Sequence, residues 1–218
     1  MHGKMKLAIF DFDGTLADTY PVFADSVNVL AVRHGFRCVT QEQQGRLRGM
    51  SVAEIMRELE LPLWKVPAVL ADFRKVMHQR IDEIRPFSDM IDVLGQMLQA
   101  GIRLALATSN STANVKAVLG EALVSRFVAL ECDSTVFGKA HRLRRILKVT
   151  RTDEAEAIYI GDEIRDAEAA AKAGVTFGAV AWGYTHLDAL LKMNPGQVFR
   201  SPGDMLRLGR TTHHRVTP

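Results

Sequence analysis

Residues 7–15 read Leu-Ala-Ile-Phe-Asp-Phe-Asp-Gly-Thr. Four apolar residues in an unbroken run describe a strand covered on both faces, since a half-exposed strand would alternate. Two aspartates two positions apart, Asp11 and Asp13, follow directly, and Gly14 then turns the chain. Carboxylates held so close repel each other and require a cation or a shared proton between them. An aspartate-rich turn capping a helix is the plainer reading of the same residues.

Further along, the same kind of apolar run recurs at Ile102–Ala107, Phe127–Leu130, Ala157–Ile160 and Phe177–Ala181. Helical patterns lie between these runs, at about Ile91–Ala100, Ala113–Leu119, Ala140–Lys148 and Asp166–Ala173. Gly101 and Gly174 each close a helix just before a strand. Strands alternating with helices predict an α/β fold with a parallel sheet, in which ligands collect at the carboxyl ends of the strands. One stretch breaks the rhythm. From about Thr19 to Arg85 no strand pattern appears. Three apolar sets recur at helical spacing instead: Val22, Phe23, Val27, Leu30 and Ala31; Val52, Ile55, Met56 and Leu59; Val69, Leu70, Phe73, Val76 and Met77. Helices packed on the sheet would explain them, but a separate small helical unit above the strand ends is the expectation. The expected division is a core of residues 1–18 and 86–218 with an inserted unit of residues 19–85, hinged near Leu16–Thr19 and Arg85–Ser88.

Composition bounds the function. A chain of 218 residues fits one large domain, or a core with a modest insertion. Hydrophobic residues at 47% and charged residues at 24% exclude a disordered chain. No apolar run reaches the roughly 18 residues of a membrane span, and no secretory signal is visible. Two cysteines, Cys38 and Cys132, do not make a disulfide framework, so the expected compartment is the reducing cytoplasm. A net charge of +3 is mild, and no nucleic-acid module is present. Arg142, Arg144, Arg145 and Lys148 share one predicted helix and read as a solvated face. His34, His78, His141 and His186 read as surface or helix-end residues. The tail Thr211–Pro218, with His213 and His214, reads as frayed.

Three more groups fall at strand ends. Thr108, Ser109 and Asn110 offer hydroxyl and amide donors just before a helix, which makes an anion site; an ordinary helix cap explains them as well. Gly138-Lys139 opens the next helix, and a lone lysine is also a common solvated charge. Gly161-Asp162-Glu163-Ile164-Arg165-Asp166 sets three acids in five residues, as a hard-cation site or a helix cap would.

Taken in order, Asp11-Phe12-Asp13-Gly14-Thr15, Thr108, Lys139 and the Gly161–Asp166 segment resemble the four motifs of the haloacid dehalogenase-like superfamily of phosphohydrolases. The resemblance covers nearly the whole chain. It implies a Rossmann-like parallel sheet core with an inserted helical cap domain. Ala181-Trp182-Gly183-Tyr184 is similar to a segment of its phosphoglycolate-phosphatase-like members. By resemblance, Asp11 is the nucleophile that forms an aspartyl phosphate, and Asp13 is the general acid and base. Lys139 offsets negative charge, and Thr108, Gly14, Ser109 and Asn110 hold phosphate oxygens. Mg²⁺ is implied, ligated by Asp11, Asp162 and the Asp13 main-chain carbonyl, with Asp166 orienting them from behind. Members that cleave carbon–halogen or carbon–phosphorus bonds lack the second aspartate, so Asp13 favours phosphate esters. Ala140 stands where relatives often have proline, which puts only the placement of Lys139 in question. Arg48-Gly49 is similar to an Arg-Gly pair of cap loops; Arg48 is then a clamp for a substrate carboxylate or second phosphate, or else a surface arginine. The expected function is Mg²⁺-dependent hydrolysis of a small phosphorylated metabolite, phosphoglycolate-phosphatase-like, by a monomer or homodimer with no nucleic-acid or membrane partner. The alternative is a sugar-phosphate mutase of the β-phosphoglucomutase type, in which a cap lysine and histidine such as Lys65 and His78 would gate Asp13. A non-catalytic phosphate-binding module is the other rival.

Overall fold

A computed structural model describes residues 5–132 and 138–209. Strand β1 (Leu7–Phe10) lies near the middle of a parallel six-stranded sheet with β4 (Arg103–Ala107), β5 (Ala129–Glu131), β6 (Ala157–Gly161), β7 (Thr176–Val180) and β8 (Gln197–Phe199), in the order β5-β4-β1-β6-β7-β8. Leu7 is paired with Arg103 on one side and Ala157 on the other. The sequence order departs from the spatial order at β1, where the chain winds first one way and then the other. A crevice is expected at the carboxyl edge there.

Both faces of the sheet are covered, which is why its strands do not alternate. Ala8, Phe10, Leu106 and Ile160 pack on one side with Met90, Leu94 and Met97 of α5 (Met90–Gln99). The helices α6 (Thr112–Leu119) and α7 (Glu121–Val124) add Val115, Leu119 and Val124 to the same cluster. Leu7, Ile9 and Ala105 pack on the other side with α8 (Lys139–Thr150) and α9 (Ile164–Ala173). The short α10 (Leu187–Leu191) follows β7. Cys38 is exposed and Cys132 half-buried. Among the described residues no helix is long and apolar enough to cross a membrane.

The stretch between β1 and α5 is helical, as its spacing predicts. It leaves the core through β2 (Ala17–Asp18), returns through β3 (Arg85–Pro86), and these two strands pair antiparallel. Between them run α1 (Tyr20–His34), α2 (Gln41–Leu47), α3 (Val52–Glu58) and α4 (Val66–Gln79). Val27, Leu30, Ala31, Phe36, Val39 and Leu59 form a cluster of their own inside the insertion.

Several elements depart from expectation. The pattern reading contains no α2, because Gln-Glu-Gln-Gln-Gly-Arg-Leu has no apolar stripe. Its signal is the reciprocal cap between Thr40 and Gln43, which matches the one between Ser51 and Glu54 at the start of α3. The three-residue β8 and two-residue β2 and β3 are too short for a periodicity. Arg142 corrects the reading of α8 as having a wholly solvated basic face. It is buried, whereas Arg144 donates to the Lys172 carbonyl and Arg145 pairs with Glu131. The tail from Thr211 lies outside the described residues.

Candidate active site

The expected motifs meet at the carboxyl edge of β1, β4 and β6. Asp11 leaves the end of β1 and is only 2% exposed. Lys139, the first residue of α8, reaches its Oδ2 with Nζ at 2.7 Å. The same ammonium donates to Oδ1 of Asp166, on the first turn of α9. The alanine after Lys139 therefore does not displace the charge. Burial alone would pull the lysine down, but Asp11 and Asp166 outweigh it and hold its pKa above the ordinary value. Tyr159, which the sequence marked only as strand, lies under this pair. Its hydroxyl donates to Asp166 Oδ1 at 3.2 Å.

Asp13 stands on the turn after β1, half-buried, with Oδ1 accepting from Asn110 Nδ2 at 3.0 Å. Loss of water, and then the neighbouring Asp11, push its pKa up to about 7. A carboxyl poised there can give a proton and take one back near neutrality.

Asp162 is fully buried at the end of β6. Thr15 Oγ1 donates to its Oδ1 at 2.7 Å and the Tyr184 N–H to its Oδ2 at 2.8 Å. Two main chains press on it. A Cβ on Gly14, whose φ is +74°, would stand 2.8 Å from Asp162 Cγ, and one on Gly183 would stand 2.6 Å from it. Burial, then Glu163, Asp166 and Asp11, drive the Asp162 pKa well above the carboxylate range. Oxygens of Asp11, Asp162 and Asp166 lie within 4.8 Å of one another. A divalent cation fits this donor set. All donors are oxygens, the carboxyls Asp11, Asp13, Asp162, Glu163 and Asp166 crowd around the cations Lys139 and Arg165, and each Asp162 oxygen retains a lone pair beyond the hydrogen bond described. Asp166 is differently engaged. Its Oδ1 takes Lys139 and Tyr159, and its Oδ2 takes the N–H groups of Asp162 and Glu163 at 3.1 and 3.0 Å. It orients its neighbours.

Other expectations need correcting. The Asn110 N–H points back to Thr108 Oγ1 at 3.0 Å, and its side chain spans Asp13, the Ser111 N–H and Asn114. Asn110 therefore positions Asp13; its N–H is not offered to a phosphate. The Gly14 N–H is likewise taken, by the Ala17 carbonyl at 2.9 Å. Thr108 is fully buried at the end of β4, and Ser109 beside it lines a cavity with Asp13. Arg48 lines the same cavity as Asp13, with part of its guanidinium committed to the main chain. Its Nε donates to the Tyr184 carbonyl and Nη2 to the Gly183 carbonyl, both at 2.8 Å, with its guanidinium 4.7 Å from the Tyr20 ring centroid. The His186 N–H answers with a 2.9 Å bond to the Arg48 carbonyl. Lys65 is spent on the His34 and Gly35 carbonyls, and His78 bonds Asn114.

Residues 8–180 match the profile of the haloacid dehalogenase-like hydrolases, and the chain belongs to that family. It is 28% identical over 204 residues to a phosphoglycolate phosphatase of Synechococcus elongatus, covering 93% of this chain and 96% of that one. It is 31% identical over 205 residues to a phosphoglycolate phosphatase of Agrobacterium fabrum, covering 88% and 87%. The fold superposes on a haloacid dehalogenase-like hydrolase of Streptococcus pneumoniae with a TM-score of 0.77 at 20% identity, over 95% of this chain and 99% of that one.

Proposed function

We propose that the chain hydrolyses a small phosphate monoester through a phosphorylated Asp11, with Mg²⁺ as the metal. It is a phosphomonoester hydrolase. The observation that carries the route is the pairing of Asp11 with Lys139 at 2.7 Å while Asp13, beside it, is pushed up to about 7. Asp11 Oδ forms a bond to phosphorus as the ester P–O bond breaks, and Asp13 gives its proton to the leaving oxygen. Asp13 then takes a proton from water as that water attacks phosphorus, which restores the Asp11 carboxylate and frees inorganic phosphate. Lys139 offsets the charge on the transferring group. Asp11, Asp162 and the Asp13 carbonyl would hold Mg²⁺, which when bound supplies positive charge between two anionic reactants. Thr108 and Ser109 are the donors assigned to the phosphate. The reading sets the enzyme in the cytoplasm, acting on a small phosphorylated metabolite.

Phosphoglycolate, named for two relatives, belongs in the first substrate panel, beside sugar phosphates, nucleotides and p-nitrophenyl phosphate. Magnesium-dependent phosphate release, abolished by EDTA and by Asp11→Asn, is the expected result. A phosphoryl group that returns to a sugar phosphate without free phosphate would instead select the mutase. Lys65 is bonded to the His34 and Gly35 carbonyls, and His78 reaches Asp13 only through Asn114 and Asn110.

A further inference from the structure

A cavity of about 270 Å³ opens beside Asp13 and runs up into the insertion. Near the sheet its walls are polar, with Asp13, Ser109, Asn110 and the paired Glu163 and Arg165. Higher up they change character. Phe23, Leu47, Ile55, Met56, Leu70 and Phe73, from all four helices of the insertion, line most of it with hydrocarbon, beside Gln44, Arg48 and Arg74. Each of these six is only half-buried, and no residue of α2 or α3 is fully buried. The insertion thus holds apolar side chains around a space it does not itself fill, a surface that water disfavours and a dry occupant would cover. Arg48, the cation expected to meet a substrate carboxylate, stands in this wall with its Nε and Nη2 given to two main-chain carbonyls. A glycolate-sized group would leave most of this space empty; a hydrocarbon group would fill it, in the same cavity that Asp13 lines.

We infer that the substrate is a phosphomonoester whose leaving group is apolar and seated among α1–α4. The inference rests on the phosphatase reading of the Asp11 site and names the class of ester that site accepts. The test is a series of n-alkyl phosphates from ethyl to octyl, compared with phosphoglycolate under Mg²⁺. The expected kcat/KM rises about fourfold per methylene, the equivalent of ~0.8 kcal/mol per buried CH₂, levels off once the cavity fills, and overtakes phosphoglycolate. Inhibition by n-alkylphosphonates should strengthen in parallel. In Ile55→Trp, which fills the space, both slopes should flatten. A flat alkyl series with phosphoglycolate preferred overturns the inference and leaves the phosphatase intact. No phosphate from any ester and no phosphonate binding, with the protein folded, overturns both.

Discussion

Lys139 is held between two carboxylates with 6% of its side chain exposed, so its removal leaves Asp11 and Asp166 buried and unpaired. Lys139→Ala should cost about 3–5 kcal/mol of stability and at least ~10²-fold in phosphate release, read by denaturant unfolding and steady-state assay. Asp162 carries the opposite imbalance, an acid surrounded by acids. In EDTA, Asp162→Asn should melt above the parent, by ~2–4 °C per kcal/mol at this chain length, while losing its activity; a lower melting temperature would sink the assignment of Asp162 as a cation ligand. Asp11, Asp13 and Asp162 were legible in the sequence because each follows an apolar run and so stands on the sheet's carboxyl edge, and Lys139 because it opens the helix that comes after such a run. Arg48 and Asn110 were not. Their donors are committed by partners that folding brings from afar, as with Gly183, 135 positions from Arg48.

At the level of elements, two of the hydrogen-bonded bridges between the insertion and the core lead to the site. Arg48, between α2 and α3, holds the loop after β7, and that loop carries both Gly183, packed on Asp162, and the Tyr184 N–H bonded to it. Arg48→Ala should therefore weaken Mg²⁺ binding and lower kcat by about tenfold even for p-nitrophenyl phosphate, which has no carboxylate to clamp. Arg48→Lys should rescue it only in part, because an ammonium can meet two adjacent carbonyls, as Lys65 does, but lacks the planar fork and the guanidinium face that lies over Tyr20. An effect on KM alone, limited to carboxylated esters, would restore the clamp. The second bridge runs from His78 on α4 through Asn114 and Asn110 to Asp13, in steps of 3.1, 2.9 and 3.0 Å. Asn114→Ala should loosen Asp13 and cut kcat several-fold with KM nearly unchanged. Periodicity revealed α1, α3 and α4 and missed α2, whose polar sequence announces itself only by its caps.

For the whole molecule, the acid cluster predicts that Mg²⁺ stabilises the fold as well as the reaction. At 100 times its dissociation constant a ligand adds about 2.7 kcal/mol, so calorimetry should show the melting point rising by roughly 5–10 °C with Mg²⁺ and not with Na⁺ at equal ionic strength. The parallel architecture was readable from alternating patterns. The hollow of the insertion was not, because a residue lining a cavity and one filling a core have the same apolar spacing. The ribbon of β2 and β3 has a further consequence. Ala17 faces Pro86 and Asp18 faces Arg85, so the chain exits and re-enters the core at adjacent points. Everything between those points is a loop in the topological sense, exchangeable for another of different size without moving a strand of the sheet.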